Sequence, residues 1–203
     1  MIIEESDIRL KFVDEIHAIK FDDDIFYRNC FNNLPGGKGV DIVANGCNTI
    51  QLIEIKNCSG KEIDNIWRLS VNNSGKKSAP RNLDVASRDS LDIEMAQKVA
   101  ATCSCLFVAW TKSEHMENAR ALIPYWDGIT DKKLLKDSKR IEIILFLEGD
   151  FDRKGPKSRS KKMIMQSLQR SIRKMLKWLN CDVVVVDLDT YNKRYFTAEA
   201  IPS

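Results

Sequence analysis

Between residues 39 and 57 the chain carries two nearly unbroken apolar stretches, Gly39–Ala44 (GVDIVA) and Thr49–Asn57 (TIQLIEIKN), separated by Asn45-Gly46-Cys47-Asn48. Stretches this apolar and β-branched belong to strands covered on both faces, and Asn-Gly between them is a strong hairpin signal. Three charges interrupt them: Asp41, Glu54 and Lys56. Side chains alternate along a strand, so Glu54 and Lys56 project from one face. The turn decides whether Asp41 joins them. A four-residue turn, Asn45 to Asn48, sets Ala44 against Thr49 and Asp41 against Leu52, with Glu54 diagonal to Asp41 at roughly 7–8 Å. A two-residue Asn-Gly turn keeps the face but slides Asp41 opposite Ile50, leaving Glu54 roughly 13 Å along the strand. A three-residue loop turns Asp41 to the other face. Charges set among Val, Ile and Leu are costly unless they are paired or bind metal. The competing reading makes Glu54 and Lys56 solvated ends of an edge strand and Asp41 a turn-proximal carboxylate.

Around this hairpin, helix and strand patterns alternate. Ser6 to Lys20 reads as a helix, with Ile8, Phe12, Ile16 and Ile19 in one stripe behind a Ser6 or Asp7 cap. Asp22-Asp23-Asp24 breaks that pattern, Ile25 to Phe31 is expected as a short strand, and Asn32 to Lys38 as a turn. Ile63 to Val71 reads as helical and Asn72 to Asp84 as a long, polar, basic loop. That loop is not a phosphate loop, because G-x-x-x-x-G-K-[ST] needs Gly where Ser70 stands and Ser or Thr where Lys77 stands. Ser90 to Trp110 is the next helix, with Leu91, Met95, Val99, Cys103 and Phe107 on one face and a Glu94–Lys98 pair at i,i+4; its end (CLFVAW) also fits a strand. Residues 111–139 read as an irregular charged connection. Ile141 to Leu147 reads as a buried strand, Lys161 to Leu179 as a helix, and Val183–Val186 as a central strand. The expected fold is α/β, a central mixed β-sheet flanked by helices. It forms one domain over 1–203, with a helical and loop insertion around 60–139.

Charge adds a second constraint. The chain has 32 Lys+Arg against 29 Asp+Glu, a net of +3. Ten of the basic residues (Arg153, Lys154, Lys157, Arg159, Lys161, Lys162, Arg170, Arg173, Lys174 and Lys177) fall in one segment without an acidic residue, leaving 22 basic against 29 acidic elsewhere. Within the helix, Ile164, Leu168, Ile172, Met175 and Leu179 share one face and the cations the other. That is the electrostatic footprint of phosphate-backbone binding, to which Lys76, Lys77 and Arg81 of the polar loop add. The plainer reading is a solvated basic face. A membrane-surface helix needs a broader aromatic face than Trp178 supplies. No apolar run approaches the ~20 residues of a membrane span, and the acidic start (MIIEESD) is unlike a signal peptide. The expectation is a cytoplasmic protein without membrane contact. Six scattered cysteines with no C-x-x-C, and only His17 and His115 as histidines, leave no zinc-finger spacing and few bases for a Ser-His or Cys-His hydrolase.

Two carboxylates on adjacent strands offer hard oxygen donors suited to Mg²⁺ or Mn²⁺, and a lysine beside them can position or deprotonate an attacking water. These are parts for metal-assisted phosphodiester hydrolysis. Asp41, twelve intervening residues, then Glu54-Ile55-Lys56 resembles the PD-(D/E)XK (restriction-endonuclease-like) nuclease superfamily. The resemblance implies that Asp41 and Glu54 hold the metal, that Ile55 lends a carbonyl, and that Lys56 acts on the nucleophilic water. It also implies a further carboxylate from the first helix, Glu15, with Asp14 second. Val40 stands where the family name has Pro, and Ala101 rather than Tyr follows Gln97 by four residues, so the RecB-like signature is absent. The likeness covers roughly residues 6–110 by motif and assigns no subfamily. It further implies DNA ahead of RNA as substrate, and a restriction, phage-defence or mobile-element setting. Its working form would be a homodimer or a complex with a specificity subunit. The alternative is a catalytically inactive nuclease-like nucleic-acid-binding or assembly subunit.

Overall fold

A computed structural model describes residues 1–34, 37–73, 89–152 and 159–201. Among these, strands β1 (Ile2–Glu5), β2 (Ile8–Phe12), β3 (His17–Lys20), β4 (Ile42–Asn45), β5 (Thr49–Asn57), β6 (Arg140–Glu148), β7 (Asp182–Val186) and β8 (Phe196–Ala200) form two sheets. The helices are α1 (Glu62–Asn65), α2 (Leu91–Lys112), α3 (Glu117–Arg120), α4 (Ile123–Ile129) and α5 (Lys161–Met175). The larger sheet runs β3-β4-β5-β6-β7, antiparallel from β3 to β5 and parallel from β5 to β7. The fold is therefore mixed α/β.

Alternation sorts this sheet's side chains into two cores. Ile50, Leu52, Ile143, Leu145, Leu147 and Val183 pack with Leu91, Met95 and Val99 of α2 and with Ile164, Leu168 and Ile172 of α5. Ile53, Ile55, Ile144 and Phe146 face the other way, onto Ile8, Leu10, Phe12 and Phe196 of the small sheet β1-β2-β8. Helices thus flank one face and a second sheet the other. The 60–139 segment, expected as an insertion, supplies α2 to the first of these cores.

Several expectations are corrected. Residues 6–20 are a hairpin arm and a further strand, not a helix. Ser6 and Asp7 both take positive φ (50° and 60°), the backbone of a tight hairpin turn, and Ile8, Leu10 and Phe12 are buried with period two. The apparent helical stripe arose because Ile8, Phe12 and Ile16 fit both periods. Ile25–Phe31 is not a strand: Asp24 Oδ1 accepts the Tyr27 amide at 2.9 Å and starts a wide helical turn, Tyr27–Phe31. The end of α2 stays helical through Lys112, and its buried stripe runs Leu91, Met95, Lys98, Thr102, Cys105 and Ala109, leaving Phe107 exposed. Short helices α3 and α4 and a 3₁₀ turn, Lys132–Lys136, occupy part of the stretch expected to be irregular. The Val183–Val186 run lies in β7 at the sheet's edge rather than its centre, its β-branched content reflecting coverage of both faces.

The hairpin register also differs from both even-numbered turns. Gly46 N donates to Thr49 O at 2.8 Å, Cys47 and Asn48 form the tip, and Asn45 pairs with Ile50. Asn45 is held in the ladder by tertiary contacts: its Nδ2 donates to Pro124 O at 2.8 Å and its Oδ1 accepts from Lys139 Nζ at 2.9 Å. Neither Leu52 nor Ile50 faces Asp41. Val43 pairs with Leu52, and Ile42 with Ile53. One further step sets Asp41 against Glu54.

Candidate active site

Asp41 precedes β4, and its carboxylate closes the ladder in place of a backbone pair, Oδ2 accepting the Ile55 amide at 2.7 Å. Glu54 lies on the central strand β5, and the two side chains are 6% and 1% exposed. The alternative of solvated charges on an edge strand is overturned. From α2, Lys98 Nζ reaches between the carboxylates, 2.6 and 2.7 Å from the two oxygens of Glu54 and 3.3 Å from Asp41 Oδ1. Lys56 Nζ lies 2.6 Å from Glu54 Oε1 and 3.3 Å from Glu94 Oε1, and Glu94 also pairs with Arg68. Glu94 and Lys98, expected to pair with each other at i,i+4, instead point inward to different partners.

Sequence reasoning missed Asp22. β3 pairs antiparallel with β4, Lys20 against Ile42, and Phe21 N donates to Asp41 O at 2.7 Å. The chain then turns through a short 3₁₀ segment, Phe21–Asp23, which brings Asp22 close enough to Asp41 for their charges to repel. Asp22 Oδ1 is buried without a hydrogen-bond partner among the described residues. Asp41, Glu54 and Glu94 are matched by the three cations Lys56, Lys98 and Arg68, and Asp22 adds a fourth carboxylate nearby. The site holds a surplus of one negative charge.

Burial pushes the Glu54 carboxyl up to about 7, with Asp41 adding to the shift and Lys56 and Lys98 opposing it. Burial likewise lifts Asp22 to about 6, reinforced by Asp41. For Lys56 burial acts downward, but Glu54, Glu94 and Asp41 outweigh it and hold its pKa above the ordinary lysine value. Lys98 is raised in the same way by Glu54 and Asp41. Both lysines keep their protons at neutral pH.

The Asp22 shift sets a stability prediction. A carboxyl whose folded pKa is raised contributes stability that is full below its unfolded value and lost as pH rises through the folded one. Asp22→Asn is therefore expected to stabilise the metal-free protein at pH 7.5 by about 1 kcal/mol, the half-exposure of the group discounted, and to change little at pH 4. Urea melts at both pH values check this. A variant less stable than wild type at pH 7.5 contradicts an unpartnered charge at Asp22.

The other expected site residues fall apart or elsewhere. Glu15 and Asp14 lie exposed in the turn before β3. Gly46 at the hairpin tip approaches the Glu15 carbonyl, about 16 Å along the strand from Asp41 at ~3.3 Å per residue. Neither joins the carboxylate pair, because the first helix they were to sit on is absent. Ile55 contributes its amide to Asp41, while its side chain is buried on the opposite face. Of the basic segment, Arg159, Lys162, Arg170, Arg173, Lys174 and Lys177 are exposed. Lys161 is instead committed to Asp187 at 2.7 Å and Glu148 at 3.7 Å. That pairing ties the start of α5 to the sheet end that carries Lys56, since Asn57 pairs with Glu148. Arg159 and Lys162 thus lie at the site's end of the sheet, and Arg170 to Lys177 run away from it. Lys76, Lys77, Arg81, Arg153, Lys154 and Lys157 lie outside the described residues.

The donor set fits a hard divalent cation in chemistry: carboxylate oxygens, one of them buried and unpartnered, with excess negative charge. The ammonium of Lys98 takes the position between Asp41 and Glu54, and among the described residues no three His, Cys, Asp or Glu side chains converge at metal distance.

Among the described residues no helix is long and apolar enough to cross a membrane. The chain belongs to a family of unknown function, DUF6661, which it matches over residues 24–200. No curated protein and no solved structure matches it.

Proposed function

We propose that this DUF6661 member is a divalent-metal-dependent nuclease of the PD-(D/E)XK type, acting on DNA ahead of RNA. The observation that carries the reading is the trio of buried Asp41, buried Glu54 and partly buried Lys56, brought to one face of the central strand by a hairpin register the sequence left open. Asp41 and Glu54 would hold Mg²⁺ or Mn²⁺, with Asp22 adding negative charge nearby. The ion would supply charge neutralisation at the scissile phosphate and an acidified water. Lys56, kept protonated by Glu54 and Glu94, orients that water and balances charge on the phosphate rather than abstracting a proton. The exposed cations of α5 fit a phosphate backbone.

The test is cleavage of linear, circular and single-stranded DNA and of RNA, with Mg²⁺ or Mn²⁺ and with EDTA. Cleavage that requires metal and stops in EDTA supports the reading; EDTA-resistant cleavage sinks it. Binding to duplex DNA in EDTA is expected to weaken with salt. The slope of log K against log salt should be about −4 to −5 if the five exposed cations from Lys162 to Lys177 each neutralise one phosphate. A flat salt response removes α5 as the contact.

One observation favours a second reading, a non-catalytic nucleic-acid-binding or assembly subunit. Lys98 already occupies the position between the two carboxylates that a metal would use. Salt-sensitive DNA binding without cleavage in either metal selects it.

A further inference from the structure

We infer that Lys98 is a resident cation of the Asp41–Glu54 pair, and that a divalent ion binds there only by displacing its ammonium. This rests on the metal-site reading above and names how that site is controlled. The geometry is specific. Lys98 Nζ contacts both oxygens of Glu54 and the one oxygen of Asp41 that Ile55 leaves open. Two cations at such spacing in a low-dielectric site repel strongly, so the ammonium and a divalent ion exclude each other.

The anchoring of Lys98 makes exchange feasible without refolding. Its backbone lies midway along α2, in the stripe Leu91, Met95, Lys98, Thr102, Cys105, Ala109 that packs on the sheet. Thr102, one turn on, fixes that stripe to the hairpin by accepting the Val40 amide at 3.0 Å. The helix therefore stays while the flexible four-carbon stem moves. Glu94 stands one turn back on the same helix, already in contact with Lys56 and Arg68, and is within reach of a retracted Lys98. Lys98 is thus a positioning residue that sets metal affinity, distinct from Lys56, which would face the water.

The experiment is a calorimetric titration of Mn²⁺ into EDTA-stripped, dialysed wild type, Lys98→Gln and Lys98→Met at pH 7.5. Thermal melts with and without Mn²⁺ accompany it. Lys98→Gln keeps a donor for the carboxylates without the charge, so the comparison survives if Lys98→Met does not fold. Both variants are expected to bind Mn²⁺ at least about tenfold more tightly than wild type, since no bound cation must first leave. Their metal-free melting temperatures should be lower and should gain more from Mn²⁺. Equal or weaker Mn²⁺ affinity in Lys98→Gln, with wild type still binding, overturns the resident-cation inference and leaves the metal site standing. No binding in any of the three proteins, or binding that survives Asp41→Asn, overturns both.

Discussion

In Mn²⁺, protein carrying Lys56→Ala is expected to cleave DNA about 10²- to 10³-fold more slowly than wild type, the usual cost of deleting one preorganised electrostatic contact to a reacting group. The buried surroundings of Lys56 make the effect large. Its side chain is only 23% exposed and its ammonium is held between Glu54 and Glu94, so its orientation is set before substrate arrives. Bulk water does not replace a charge placed that way. Asp41→Ala is expected to lose at least as much, because it removes one carboxylate of the pair and releases the Ile55 amide that fixes the hairpin end. Folding is the necessary control. In the Lys56→Ala protein Glu54 keeps both contacts from Lys98, so circular dichroism and the melting transition should stay near wild type while cleavage falls. Cleavage by Lys56→Ala within about threefold of wild type, a difference of less than ~1 kcal/mol in the barrier, rules out the assigned role.

The largest expected stability effect lies on the other face of the sheet. Phe146 is fully buried at the junction of the two sheets, 5.8 Å from the Tyr191 ring, which stacks on Phe196 at 5.6 Å, itself 5.5 Å from Phe12. Phe146→Ala deletes the large-sheet member of this row and opens a cavity between layers that cannot collapse independently. The expected loss is about 3–5 kcal/mol, read from denaturant melts. Because Phe146 projects away from Asp41, Glu54 and Lys98, folded Phe146→Ala protein at low temperature should keep wild-type Mn²⁺ affinity. A loss below about 1 kcal/mol indicates that the small sheet adds little to the fold.

The N-terminal sequence carries no unambiguous mark of this second layer. Ile8, Phe12 and Ile16 satisfy a helical stripe, while Leu10 belongs only to the alternating pattern. The positive-φ pair Ser6-Asp7 that decides between them carries no glycine to announce it. A helix in place of β1 and β2 leaves β8 (Phe196–Ala200) without the strand it pairs with. Placing a metal-site carboxylate on that absent helix then pointed to Glu15. The acidic run at Asp22–Asp24, which reads only as a break, holds both a carboxylate raised by burial and the charge of Asp41, and the cap of the next helical turn.

The sequence by itself determined the α/β alternation, the buried hairpin, and the shared face of Glu54 and Lys56, because strand periodicity is a local property of the chain. It also marked the amphipathic, basic α5 and the helix that became α2. Lys98 had a local signal too, a lone charge on the buried spacing Leu91, Met95, Thr102, Cys105. Only the tertiary structure decided what these pieces meet. Asn45 is pinned by Pro124 and Lys139, from far along the chain, and that contact slides the hairpin tip to Cys47-Asn48 and sets Asp41 directly against Glu54. Asp22 arrives through pairing of β3 with β4, and Lys98 and Glu94 through packing of α2 on β5. Such contacts span tens of residues and leave no periodic trace. The balance of charge around two buried carboxylates is therefore a property of the folded chain.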